Sequence, residues 1–334
     1  MTLHAIDDVS DAVSATAAFL FPFELRRWAK LAVVALFAGG GLSLPTLQAE
    51  VPGSVDRPAG GDASGVAPDA TGLPPDALGI VAAVVAAVVL LGVAYSVVGA
   101  IMEFVLVESL RTDEVAIRRH WGRRWRQGLR LFGFRLAIGL PALALVAGWI
   151  GLLAAPALLE GVDPLVPVAA LLLFGLPLVL LAGLSYALVA SLTTVFVVPI
   201  MIDTDGGVLA GWRRLWGSIR ANPKQYLAYV AVGFALTVAV GLLASIAVGV
   251  AAVVLLIPLV ILAVPVLFVL SLSSTLALVI LGVAGALFAL SILTLWLFVR
   301  VPVVTYLRYH ALLVLGDVEV SLDLVPDRRA EIRA

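Results

Sequence analysis

Two glutamates, Glu103 and Glu108, follow the uncharged run 77–102 and are the first side chains to consider for chemistry. An acidic residue inside a membrane commonly marks an ion or proton pathway. About 20 apolar residues are enough to cross a bilayer, so a span that starts near Ala82 ends near Ile101. We therefore expect both glutamates at the cytoplasmic interface, with ion coupling as the alternative role.

Other catalytic and metal-binding patterns do not assemble. With no cysteine, the chain has neither disulfides nor a thiolate site. Segment 203–206 starts like a calcium loop, but the twelfth position of that loop needs a glutamate, where Arg214 stands. We expect Asp203 or Asp205 to cap the next helix instead. The histidines occupy scattered positions that we predict to be cytoplasmic: His4, His120 and His310. The prediction is a protein that is not an enzyme and uses no cofactor or metal.

Arginine and tryptophan recur together in the segments 118–130 and 212–220, a pattern typical of helices that lie at the membrane interface. Tryptophan favours headgroup depth, and arginine pairs with lipid phosphates. These side chains could recognise an anionic headgroup, or they could only orient and anchor the helices. The lipid-interface candidates are Arg118, Arg119, Trp121, Arg123, Trp125, Arg126, Trp212, Arg213, Arg214, Trp216 and Arg220.

Five small residues are spaced four apart in the segment 226–254, which predicts a helix-packing seam. They are Gly233, Thr237, Gly241, Ser245 and Gly249. Small side chains let helix backbones approach closely, which matters where lipid is as apolar as leucine. A ligand groove is the alternative interpretation of the same stripe.

The elements that position these residues follow from composition. The 334 residues are 62% hydrophobic and 13% charged, with a mean hydropathy of +1.13, unlike a soluble domain. The uncharged runs are too long for barrel strands, so the spans are predicted to be helices. The net charge of −1 gives no sign of nucleic-acid binding. Acidic residues near the start argue against a cleavable signal.

The distribution of basic residues predicts the topology. Arginine and lysine concentrate in cytoplasmic loops, and the acidic segments 48–77 and 159–165 carry almost none. Six spans with both termini in the cytoplasm fit this pattern, whereas a third span within 225–299 would place the C-terminus outside. The predicted helices are 29–47, 78–107, 131–157, 174–201, 226–254 and 275–300. Prolines predict a break of the helix over 255–274 and a compact bundle that covers the break.

Repeated basic-tryptophan motifs at 26–28, 118–122 and 213–217 predict three helical-hairpin units, each preceded by an interfacial helix. The fold class is an all-α polytopic transmembrane helical bundle. Its predicted parts are an amphipathic N-terminal segment and a bundle, with an outward flexible loop in the first unit and a cytoplasmic tail. Alternating residues in the tail could form a strand, although loose order is the main expectation. The predicted boundaries are 1–28 for the N-terminal segment, 29–310 for the bundle and 311–334 for the tail. Within the bundle, the units are 29–110, 111–203 and 204–310, and the outward loop is 48–77.

Three segments resemble an uncharacterised haloarchaeal family of multi-pass membrane proteins. They are the opening 4–8 with 19–20, the segment 205–214 continuing through 222–226, and the closing 306–312. A tryptophan-basic helix before an apolar hairpin is also distantly similar to the membrane domain of some glycerophosphodiester phosphodiesterases. These resemblances imply the helical membrane fold and supply no active-site positions.

Together these patterns favour a multi-pass protein of the cell membrane that acts as a non-enzymatic scaffold, lipid-interacting protein or membrane-assembly component. The alternative is a transporter or exporter of a lipid or apolar compound. The expected partners are membrane lipids with anionic headgroups, and a membrane protein or a second copy of the chain could also bind.

Overall fold

The computed structural model describes residues 4–38, 75–158, 165–269 and 274–334. Within these ranges the chain forms only helices, which confirms the all-α class. The α-helices are α1 His4–Leu20, α2 Leu25–Phe37, α3 Pro75–Thr112, α4 Ile117–Leu158, α5 Leu165–Ala170, α6 Leu176–Leu192, α7 Val198–Thr204, α8 Val208–Ala221, α9 Pro223–Val269, α10 Thr275–Val318 and α11 Pro326–Arg333. Two π-helical segments, Leu171–Gly175 and Thr193–Val197, join α5 to α6 and α6 to α7. A 3₁₀ turn, Val320–Leu322, precedes α11.

Five helical stretches are long and apolar enough to cross a membrane, so the chain has the make-up of a multi-pass membrane protein. They are Gly79–Thr112, Ile117–Ala155, Val168–Thr204, Pro223–Val269 and Thr275–Val318. The first predicted span, 29–47, begins inside α2, but its residues from 39 onward lie outside the described part of the chain. Residues 48–74 of the predicted outward loop lie outside it as well.

The predicted break over 255–274 is wrong for most of its length, because α9 continues through Pro258 and Pro265 to Val269. Each proline removes one backbone donor, but a membrane helix tolerates this loss when its surroundings satisfy the freed carbonyl. At 47 residues, α9 is about 70 Å long.

The buried core lies at one end of the bundle, which we call the packed end. There α1, α8 and α11 pack among the C-terminal ends of α3, α7 and α10 and the first turns of α4 and α9. The largest fully buried side chains include Phe19, Phe104, Phe196, Tyr309 and Leu312.

Beyond the packed end, the apolar parts of the spans are mostly exposed, contrary to the expected compact bundle. In the most apolar window of four of the five candidate spans no residue is buried, and in that of α10 6% are. Lipid tails solvate leucine as well as another helix does, so nothing forces these surfaces together.

The predicted interfacial helices are only partly separate elements. The basic segment 118–130 forms the first turns of α4, which runs unbroken for 42 residues, so the prediction of an independent helix is wrong there. Segment 26–28 likewise lies within α2. In contrast, α8 is a separate helix that ends at Ala221, and Asn222 separates it from α9.

The C-terminal segment is folded against the N-terminus, so the expectations of a strand or a loose tail were both wrong. Leu322, Leu324 and Val325 are buried, and α11 packs on α1. The Arg333 guanidinium lies 2.7 Å from both Asp8 and Asp11. The two ends of the chain therefore lie at the same end of the bundle.

Candidate functional site

A groove of about 1570 Å³ separates α3, α4 and α6 from α9 and α10. Its walls are mainly apolar, and exposed side chains such as Leu143 and Phe234 line its rim. The volume exceeds the roughly 300–1,000 Å³ of pockets for drug-sized ligands. The groove is thus large enough for a long apolar molecule.

Charged side chains meet where the groove reaches the packed end. Arg308 forms an ion pair with Glu103, and Arg135 Nη2 lies 3.5 Å from Glu103 Oε1. Arg300 also lines the groove and donates a hydrogen bond to the Ala38 carbonyl at 3.1 Å. We call Glu103, Arg135, Arg300 and Arg308 the groove cluster. Glu103 is fully buried within the protein, and its location at the cytoplasmic interface stays a prediction.

A π-helical segment explains why this cluster can form beside α6. The Val198 N–H donates to the carbonyl of Thr193, five residues earlier. In the same π-helical register, the carbonyl of Thr194 would need the N–H of Pro199, which proline lacks. The Thr194 carbonyl therefore loses its in-helix donor and accepts Arg308 Nη1 at 2.5 Å. The Thr194 hydroxyl accepts Arg135 Nη2 at 2.7 Å. Such π segments are frequent at functional sites.

The small-residue stripe of α9 faces this groove. Gly233, Thr237, Gly241 and Ser245 line it, and a Cβ placed on Gly241 would meet no atom within 4 Å. The same is true of Gly249. Neither of these two glycines is packed against a neighbouring helix of the described chain, and the packing seam as a whole stays a prediction. The alternative, a groove, agrees with the placement of four of its five members.

Glu108 belongs to a second network, in which its carboxylate is buried within the protein. Arg124 Nη2 lies 3.2 Å from Glu108, and Arg124 Nη1 lies 2.8 Å from Asp205. Gln127 Nε2 donates to the Met201 carbonyl at 3.0 Å and to Asp205 at 3.3 Å. This network joins α3, α4 and the end of α7. Because Asp205 is used here and Gly207 is the N-cap of α8 without a side-chain hydrogen bond, the predicted aspartate cap is wrong.

The termini carry a third network, which the sequence did not indicate. Arg333 contacts Asp8, Asp11 and Asp317, and Arg329 lies 3.0 Å from Asp317. Burial, with a contribution from the Asp317 charge, raises the pKa of Asp8 to about 7. His310 is also buried at this end, with Nε2 2.9 Å from the Ala5 carbonyl.

The lipid-interface candidates of α4 and α8 surround the packed end, and we call them the collar. Trp125 and Trp216 are exposed, with the guanidiniums of Arg126 and Arg220 5.5 and 5.3 Å from their ring centres. Trp212 instead turns inward and donates to the Thr193 hydroxyl at 3.0 Å. The exposed arginines of the collar are Arg118, Arg119, Arg123, Arg126, Arg213 and Arg220.

Glu103 was predicted from the sequence as a candidate site residue, whereas its arginine partners were not. Glu103, Arg135 and Arg300 are the charges that bound the uncharged runs 77–102, 136–159 and 225–299 at the packed end. That shared position was a usable signal, because residues that end their spans on one side of a membrane lie at one depth. Arg308, eight residues further along α10, had no comparable signal.

No curated protein and no solved structure matched the chain. A model of a family of unknown function, DUF7544, matches residues 3–325. The match covers nearly the whole chain, from α1 to the turn before α11. The chain therefore belongs to the DUF7544 family of unknown function.

Proposed function

We propose that this chain is a six-span, non-enzymatic protein of the cell membrane whose collar binds anionic lipid headgroups at the inner leaflet. The observation that carries the proposal is the pairing of exposed tryptophan with exposed arginine on α4 and α8, as at Trp125 and Arg126. Tryptophan sits at headgroup depth, and arginine there attracts phosphate. The chain would organise lipid around itself or serve as the membrane part of an assembly.

Six spans are supported by the contacts between the termini. When both ends of a chain lie on one side of a membrane, the chain crosses an even number of times. Five described stretches are long enough to cross, and α2 runs from the packed end beside α3, with Tyr95 donating to the Leu36 carbonyl at 2.6 Å. A sixth crossing that starts in α2 makes the number even. The excess of arginine at the packed end supports a cytoplasmic location of that end.

Single-cysteine labelling tests this topology, because the chain contains no cysteine of its own. Ser64→Cys lies in the predicted outward loop, and Ala330→Cys lies on the exposed face of α11. A membrane-impermeant maleimide should label Ser64→Cys in intact cells and Ala330→Cys only after permeabilisation. Ser14→Cys, exposed on α1, is the matched N-terminal control and should behave like Ala330→Cys. Labelling of Ala330→Cys but not of Ser14→Cys in intact cells would refute six spans, and labelling of both would refute cytoplasmic termini.

Lipid selectivity tests the collar. The reconstituted protein should hold spin-labelled phosphatidylglycerol at its surface in preference to phosphatidylcholine. Changing Arg118, Arg123, Arg126 and Arg220 together to glutamine should reduce that preference at least threefold, because each basic residue contributes about 1 kcal/mol near an anionic surface. The same four changes to lysine keep the charge and should keep most of the preference, which salt should weaken. An unchanged preference in the glutamine variant would contradict the proposal.

Transport of a lipid or apolar compound is the second candidate, favoured by the broken span Val168–Thr204. Two π segments interrupt it, and Pro177 and Pro199 are each the second residue after a π segment. Interrupted spans are common where transporters bind substrate. Movement of labelled lipid between the leaflets of vesicles that contain the protein separates transport from static binding.

A further inference from the structure

We infer that the groove between α3, α4, α6, α9 and α10 holds one anionic phospholipid of the inner leaflet, with its phosphate at the groove cluster and its acyl chain along α9. The inference rests on the proposed function, because it names a specific lipid site in a protein that we propose to bind lipid. The site is distinct from the collar, which lies on the outer surface of α4 and α8.

The size and direction of the groove suit an acyl chain. Along α9 its wall runs from Tyr229 to Val248, about 28 Å at 1.5 Å per residue. The hydrocarbon core of a bilayer, which holds the acyl chains of both leaflets, is about 30 Å thick. The wall is therefore longer than an acyl chain of one leaflet. Leu140, Leu143 and Phe234 provide apolar surface away from the charged end.

The depth of the groove cluster suits a headgroup. Glu103, Arg135 and Arg300 each stand where an uncharged run ends, so the cluster marks the inner limit of the apolar segments. A lipid with its chain in the groove would place its phosphate there. The rim carries exposed apolar side chains, so the groove is continuous with the surface that lipid covers.

Charge complementarity selects an anion. Among the described residues, Arg135 and Arg308 share a single carboxylate at this end of the groove, that of Glu103, which leaves one positive charge in excess. Charges away from water are costly unless they are paired. A phosphate supplies the missing negative charge, and guanidinium groups bind phosphate through parallel hydrogen bonds.

Arg135 is the side chain best placed to bind that phosphate. It is about three-quarters buried, and its contacts within the described chain use Nη2 alone, for Thr194 and Glu103. A guanidinium has five N–H groups, so most of those on Arg135 remain for a ligand. Arg308 uses both of its terminal nitrogens, because Nη1 donates to the Thr194 carbonyl and Nη2 donates to Glu103.

The small-residue stripe of α9 leaves space in the groove for the acyl chain. A Cβ at Gly241 would meet no atom within 4 Å, so a larger side chain at this position would occupy the groove without striking the protein. Gly249 is equally unobstructed, but it does not line the groove. The two glycines lie on the same helix and form a matched pair for substitution.

Native mass spectrometry of the detergent-solubilised full chain tests the inference, with phosphatidylglycerol and phosphatidylcholine of identical acyl chains as probes. The wild type and Gly249→Leu should each retain one tightly bound phosphatidylglycerol. Gly241→Leu should weaken that binding at least tenfold while its unfolding temperature stays unchanged. Arg135→Gln should lose the preference for phosphatidylglycerol, and Arg135→Lys should keep part of it.

Three results would overturn the inference. The first is equal binding of phosphatidylglycerol by Gly241→Leu and Gly249→Leu, and the second is equal affinity of the wild type for the two lipids. The third is a wild-type dimer that Gly241→Leu converts to a monomer, which would mean that a second copy fills the groove. The collar variant separates this site from the proposed function. If the collar variant loses the surface preference but still holds one bound lipid, both claims stand. If the collar variant loses the bound lipid while Gly241→Leu keeps it, the tight site lies at the collar and the inference is overturned.

Discussion

Glu103→Ala should destabilise the protein by about 3–5 kcal/mol, the range found when one partner of a buried ion pair is removed. Glu103 is fully buried, and the Arg308 side chain with which it pairs is 5% exposed. Without the carboxylate, two guanidiniums would remain close together with no negative charge between them. The free energy of unfolding, from denaturant titration in mixed micelles, measures the loss.

A matched surface pair provides the control. Arg119 and Glu114 lie 2.6 Å apart with both side chains about 60% exposed, so Glu114→Ala should cost no more than about 1 kcal/mol. The double variant Glu103→Ala/Arg308→Met removes the orphaned charge as well as its partner, and it should recover part of the lost stability. If Glu103→Ala is as stable as Glu114→Ala, the ion pair does not contribute to the fold.

The sequence predicted the class of the fold because membrane spans are encoded locally. An uncharged run of sufficient length forms a helix in lipid whatever its neighbours do, since its backbone groups must pair within the segment. The described helices accordingly contain the greater part of the runs 77–102, 136–159 and 225–299. The helix bounds were less accurate. The inner ends extend well past the apolar runs, as in α10, which continues to Val318.

The contacts between helices could not be predicted, because they depend on helix rotation and on the offset of one helix along another. Glu103 meets Arg308, which is 205 residues away, and Arg333 meets Asp8, which is 325 residues away. Neither pair has a spacing that a single sequence reveals. The arginines were interpreted as markers of the cytoplasmic side and, in two segments, as lipid-interface residues, although Arg124, Arg135 and Arg308 have structural partners.

The small-residue pattern illustrates the same limit. Gly233, Gly241 and Gly249 form the most regular stripe in the sequence, yet their helix leaves them open to the groove or to the exterior. Among the described residues, the tightest glycine contact between two long helices is at Gly128, in a segment that the sequence marked only by its arginines and tryptophans. Spacing shows that a close approach is possible, and only the placement of the neighbouring helix decides whether it occurs.

Gly128→Ala is therefore expected to be the most damaging glycine-to-alanine change in α4. A Cβ at this position would lie 2.5 Å from Ile101 Cγ1 and 2.8 Å from Ile101 Cα, and the backbone atom cannot move without shifting α3. Overpacking of this kind costs about 1–3 kcal/mol. Gly133→Ala, five residues later on the same helix, meets nothing within 4 Å and should instead stabilise the helix by about 0.5–1 kcal/mol. Denaturant titration of the two variants under identical conditions compares them directly. Equal stability would mean that α3 and α4 do not approach each other at Gly128, and that the core of the packed end is built differently.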